Sequence, residues 1–424
     1  MEMKDDVRYL LKPLTFTGRR FYAFIAVLVA VIGVAGYAWY IQLTQGLGVT
    51  GMNDTTIWGL YISNFIFFIG ISHAGIAISA AVRLASLDKY KPIMRMAEAL
   101  TLASLLMAAL SIVLDLGRPD RSAYLLTYFL ERVGQSPLLW DIAAVATYLV
   151  LSVTYLYFSL REDMAILKDE VGSWRGKLYK FLLPWHEEGE EETISKVAWW
   201  MAICILPIMV MVHTTVAWIF SLLPNRPLWF GAVAGPYFIV AAVSSGIATV
   251  IVIAIVLRYL FGWEDYVKPE IIKGLTNFMA ITTLVYMYFM FAEHMTARFA
   301  APAPEVRVSN AWFFGEFSLL FWGMFIFGIF IPTFALIINA IRSKEVNIKL
   351  TLAASVTIVI ALWIKRVLII VPTQTRPLMP LDYGLYVPTW VEWSLVAGTF
   401  AMAALIYTLF LKIFPIVEIA EELH

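Results

Sequence analysis

An all-α integral membrane protein with ten transmembrane helices is the fold class this sequence predicts. Three observations predict it. Hydrophobic residues make up 61% of the 424 residues and charged ones only 15%, with a mean hydropathy of +0.78. That composition belongs to polytopic membrane proteins rather than soluble domains. The chain also divides into about ten apolar runs, each of the order of 20 residues that a helix needs to cross ~30 Å of hydrocarbon. Ionisable side chains collect near one end of those runs, and in lipid each costs at least ~2.5 kcal/mol.

Taken in order, the runs fall at 21–43, 57–82, 96–116, 137–160, 197–220, 230–258, 272–297, 312–341, 350–371 and 390–413. The first exceeds the ~7–15 apolar residues of a secretory leader and reads as a retained span. Each run is a helix, because backbone in lipid must satisfy its own hydrogen bonds. Pro207, Pro236 and Pro332 kink the fifth, sixth and eighth. The longest connection, 161–196, carries an acidic patch, HEEGEEET at 186–193, and reads as a solvated loop too short for a domain.

Charge fixes the orientation. With the N-terminus inside, 22 of the 31 Lys and Arg lie on inner segments, from Lys4 to Lys412, and seven lie on outer ones. Cytoplasmic segments are the basic ones, so both termini are expected in the cytoplasm of a plasma-membrane protein.

Spans two to five and six to nine read as two copies of one unit. A shift of 171 residues places Trp58 on Trp229 and Gly75-Ile76-Ala77 on Gly246-Ile247-Ala248. Other shifts pair Asp115 with His294, Asp141 with Glu316, and His213 with Arg366. Two parallel four-helix bundles are expected, with helices one and ten outside them. The domain limits follow: 1–56, 57–220 (with the 161–196 loop), 221–371 and 372–424.

Helix rise converts position to depth. His213, Lys365 and Arg366 fall in the outer third. Asp115, Asp141, Glu293, His294, Glu316 and Glu392 lie at the outer ends of their spans, and Asn64 is about 10 Å below that surface. His73 and Glu98 belong to the inner half. Asn64 and His73, nine positions apart, face opposite sides of their helix. Acids at span edges also serve as solvated caps, and a structural ion pair, such as Arg366 with a carboxylate of the seventh helix, is the plain alternative for the deeper charges.

Zero net charge gives no reason to expect nucleic acid. One cysteine, Cys204, cannot form an internal disulfide or an iron–sulfur site, and it reads as a small apolar residue of a span.

The stretch WGLYISNFIFFIGISHAGIAIS (58–79), with RMAE (95–98), DLGRP (115–119) and SPLLWD (136–141), resembles the NrfD/PsrC-type membrane subunits. These serve polysulfide reductases, related molybdopterin complexes and the alternative complex III. HTTVAWIF (213–220), GPYF (235–238), AEHMT (292–296) and PTWVEW (388–393) extend the resemblance over nearly the whole chain.

The resemblance implies a subunit without haem, metal or iron–sulfur cluster that is not catalytic alone. It implies a menaquinone-like quinone near the outer face. It also implies electron exchange with an extracytoplasmic, ferredoxin-like iron–sulfur subunit, which connects to a molybdopterin or haem catalytic subunit. A quinone site needs an apolar slot and a polar group for each ring oxygen. Tyr61, Asn64, Asp115, Trp140 and Asp141 form the expected pocket, with Asp115, Asp141 and His73 in the proton chemistry. His73 and Glu98 supply a proton route toward the cytoplasm. His213, Glu293, His294, Glu316, Lys365 and Arg366 form a second proton path or a structural network.

Two other functions remain open. A haem b electron carrier would use His213 and His294 as axial ligands. A secondary transporter would use the parallel repeat, although its charges should then lie at the midplane.

Overall fold

The computed structural model describes residues 9–184, 189–299, 302–343, 345–378 and 384–419. Part of the acidic patch, at 186–188, lies outside the described residues, as do Lys4, Arg8 and Lys344.

Ten described helices are long and apolar enough to cross a membrane. They are α1 (Arg19–Gln45), α2 (Leu60–Leu84), α3 (Lys91–Asp115), α4 (Pro137–Leu167), α5 (Glu191–Ser221), α6 (Ala234–Phe261), α7 (Pro269–Phe299), α8 (Ser318–Arg342), α9 (Ile348–Gln374) and α10 (Trp390–Ile413). Each corresponds to an expected span. An even number of crossings puts both ends of the chain on one face, called here the terminus-bearing face.

The eighth span starts later than the sequence suggests. Residues Ala303–Phe313 form a separate helix, and the chain then turns at Gly315, whose N–H bonds the Asn310 carbonyl at 3.0 Å. Glu316 therefore sits in a turn outside the span. Within α8, Met324–Phe330 is wound as a π-helix.

Helices α2 to α5 close a ring, each packing on the next and α5 on α2. Helices α6 to α9 close a second ring in the same way. The rings meet along α2, α5, α6 and α9, while α1 and α10 pair with each other and α10 leans on α3. That the rings are copies of one unit is a reading of the sequence alone.

The seam is close because its residues are small. A methyl group on Gly246 would lie 2.0 Å from the Ala74 side chain across the seam, and within the first ring one on Gly75 would lie 2.2 Å from the Ala97 carbonyl. Without a hydrophobic drive between helices in lipid, such close backbone packing holds them together. At the end of the seam away from the terminus-bearing face Trp58 stacks on Trp229, with centroids 6.0 Å apart.

Candidate functional site

The residues expected to form the quinone pocket have different surroundings. Asn64 is fully engaged. Its amide donates to Ser111 at 3.1 Å and Thr399 at 2.9 Å, and its oxygen accepts from Trp363 at 3.3 Å. It thus ties α2 to α3, α9 and α10. Tyr61 donates to Gln42 at 2.7 Å, and Gln42 donates to the Leu114 carbonyl at 2.7 Å, fixing α1 to the end of α3.

Trp140 and Asp141 also part company, because neighbours on a helix point about 100° apart. Trp140, Ala143, Ala144 and Thr147 line a groove of about 300 Å³ against Met211 and Thr215 of α5. Asp141 lies on the inward face of α4 with Tyr148, Ser152 and Tyr155, all buried. Asp115, at the end of α3, lies within electrostatic reach of Tyr61 and of Glu392. Asp115 and Asp141 each keep a buried oxygen without a protein partner.

The sequence placed His73 and His213 at different depths, and the structure brings them together. Their ring centroids are 4.7 Å apart, and Tyr148 stacks on His73 at 5.0 Å. His73 is near the middle of α2. His73 Nδ1 bonds the Ile69 carbonyl, and His213 Nε2 bonds the Phe238 carbonyl at 2.8 Å. As their spacing implies, Asn64 and His73 face different neighbours.

Glu98 is 1% exposed and accepts from Ser79 and, at 3.2 Å, from Ser159. Ser79 also contacts Tyr155 at 3.0 Å, and Arg83 donates to Tyr155 at 3.2 Å. Ser159 and Arg83 line a cavity of about 300 Å³ at the terminus-bearing face. Tyr148, Ser152, Tyr155 and Arg83 were missed by sequence reading. The spacing Asp141, Tyr148, Tyr155 (i, i+7, i+14) was the signal, since those positions share one helix face.

In the second ring the ion pair is Lys365 with Glu293, at 3.2 Å, rather than Arg366 with a carboxylate. Lys365 lies 4.2 Å over the Trp312 ring, and Arg366 lies 4.9 Å over Phe238. Both cations are buried against aromatic faces that attract positive charge. His294 is enclosed by Trp312, Phe313 and Phe321, at 4.9, 4.8 and 5.5 Å. His213 and His294 thus sit in separate surroundings. Glu316 is a half-exposed surface acid bridged to Arg376 at 2.5 Å, and it leaves the buried set because its turn precedes the span.

Glu392 is 0% exposed and organises the loops opposite the terminus-bearing face. It accepts from Gly51 N at 2.6 Å, from Thr389 N at 3.0 Å and from the Tyr386 hydroxyl. Burial and this carboxylate push the Tyr386 hydroxyl above its ordinary range. Among the described residues no group of three or more His, Cys, Asp or Glu is placed to hold a metal ion.

Comparison with known proteins adds to this geometry. The chain is 26% identical over 444 residues to a putative dimethyl sulfoxide reductase membrane subunit from Halobacterium salinarum, covering 99% of this chain and 97% of that one. It is 25% identical over 429 residues to an Hdr-like menaquinol oxidoreductase integral membrane subunit of Archaeoglobus fulgidus, covering 95% and 97%. It is 26% identical over 426 residues to a menaquinone reductase integral membrane subunit of Nitratidesulfovibrio vulgaris, covering 96% and 94%. Residues 48–378, most of the length, match the family described as polysulphide reductase, NrfD, and the chain belongs to that family.

Proposed function

We propose that this chain is the quinone-interacting membrane subunit of a respiratory oxidoreductase complex, with proton movement coupled to the quinone reaction. Its partners are an extracytoplasmic iron–sulfur subunit and, through it, a molybdopterin or haem catalytic subunit. The relatives named as menaquinol and menaquinone oxidoreductase subunits support quinone as substrate. The relative named as a dimethyl sulfoxide reductase subunit supports a separate catalytic partner.

One observation carries the proton reading. Asp141, Tyr148, Ser152, Tyr155 and Ser159 form a polar stripe down α4, about 27 Å long at helical rise. His73 joins it at Tyr148, and Glu98 joins it at Ser159 directly and at Tyr155 through Ser79. Oxidising a quinol to the quinone releases two protons and two electrons. The electrons leave to the iron–sulfur partner. The protons need acceptors, and Asp115 and Asp141 present free buried oxygens near the outer end. The stripe then links that end to the cavity at the opposite face. Running the reaction backwards uses the same groups.

For the second ring the Lys365–Glu293 pair favours the structural network. The deciding experiment is quinol turnover by the assembled complex with Asp115→Asn and Asp141→Asn. A loss of about 10²-fold in either is expected for a group that moves the proton. Wild-type turnover in both removes the first ring from the reaction.

A further inference from the structure

The terminus-bearing face has a basic corner that the quinone reading does not use. Three segments converge there: the helix Lys12–Thr15, the helix Ser173–Leu182 and the last turn of α10. Arg175 Nε donates to the Lys412 carbonyl at 2.9 Å, and its Nη2 donates to the Leu14 carbonyl at 2.7 Å. Lys412 Nζ donates to the Pro13 carbonyl at 2.6 Å and to that of Phe16. Two cations therefore share one place, held by carbonyl oxygens that carry no formal charge.

More charge surrounds them. Lys412 lies 4.7 Å over the Phe21 ring, so the exposed Arg19 and Arg20 stand within a turn of it. Lys177 is exposed two residues from Arg175. Among the described residues none of Arg19, Arg20, Arg175, Lys177 and Lys412 has a carboxylate partner. Lys180 differs, being bridged to Asp169 at 2.7 Å. The corner is also rigid, since the buried Tyr179 donates to the Ile413 carbonyl at 2.6 Å and stacks on Phe414.

We propose that this corner binds the headgroup of an anionic phospholipid from the leaflet at the terminus-bearing face. Exposed aromatic rings select a lipid over a soluble anion. Trp174 is 53% and Phe181 79% exposed on the same short helix, beside Phe16 and Tyr22 at 64% and 62%. Aromatic rings next to basic side chains at the ends of spans sit at the boundary between headgroups and acyl chains. Clustered Lys and Arg there attract anionic headgroups.

The test uses the intact complex in mild detergent, offered equal amounts of phosphatidylglycerol and phosphatidylcholine, with retained lipid read by native mass spectrometry. Wild type is expected to keep phosphatidylglycerol several-fold over phosphatidylcholine. Arg20→Gln with Lys177→Gln, both exposed and free of any fold-bearing contact, should bring the two lipids near parity. Lys412→Gln should do the same. Equal retention by wild type, or an unchanged preference in the Arg20→Gln, Lys177→Gln protein, overturns the proposal. So does displacement by inorganic phosphate combined with unaltered retention in Trp174→Ala, Phe181→Ala, which would assign the corner to a soluble anion.

Discussion

His73 and His213 meet ring against ring at 4.7 Å, although α2 and α5 run through the membrane in opposite directions. Each ring uses one nitrogen on a backbone carbonyl, and His213 Nδ1 has no hydrogen-bond partner among the described residues. The pair sits between Asp141 and the Glu98 cluster. Replacing His73 with Phe keeps an aromatic ring against Tyr148 and removes the nitrogens. Proton transfer through the first ring coupled to quinol turnover is expected to fall by roughly 10²-fold, with complex yield unchanged. Reconstituted vesicles with a pH dye give the measurement, and unchanged proton transfer takes His73 off the route.

Asn64 should behave as a fastener rather than a ligand group. Asn64→Ala removes hydrogen bonds to three helices and leaves Ser111, Thr399 and Trp363 short of partners in a buried place. A loss of about 1–3 kcal/mol is expected, seen as a lower melting temperature. The quinone KM of the folded fraction should not move. A raised KM without a stability loss would restore Asn64 to the binding pocket.

Lys365 is expected to matter for stability through Glu293. Their side chains are 1% and 19% exposed, so removing one leaves the other poorly solvated. Lys365→Met should destabilise the protein by roughly 3 kcal/mol. Adding Glu293→Gln should recover part of that loss, because the stranded charge is gone. Detergent melts of both variants distinguish a structural pair from independent groups.

Tyr386 predicts how the outer loops respond to base. Its hydroxyl donates to Glu392 and accepts from Leu60 N at 2.9 Å. The folded protein holds this proton more tightly than the unfolded chain, whose tyrosines titrate near 10. The resulting stability is fully present below about pH 10 and is lost as pH rises beyond it. The melting temperature should therefore drop between about pH 9 and 11, and Tyr386→Phe should flatten that drop. An equally steep drop in the variant would place the titrating group elsewhere.

The ten spans were legible because each is a local property: a run of apolar residues long enough to cross lipid. The start of α8 was not, since Phe313, Phe314 and Phe317 keep the run apolar through a turn that Gly315 makes. Depth counted along one helix failed for His73 and His213. Where a residue sits relative to its own helix end says little about a neighbour whose helix begins at Glu191, well before the apolar run.

Sequence by itself determined the solvent, the number of crossings and the family, because composition and order carry those. Only the tertiary structure decided which polar groups are spent on holding helices together and which keep a free atom. Asn64 and Asp141 look alike in the sequence, as polar residues near the outer ends of spans. One finds three partners across α3, α9 and α10, and the other turns into the ring with an oxygen unclaimed. That difference arises from contacts between distant segments, and no local pattern encodes it.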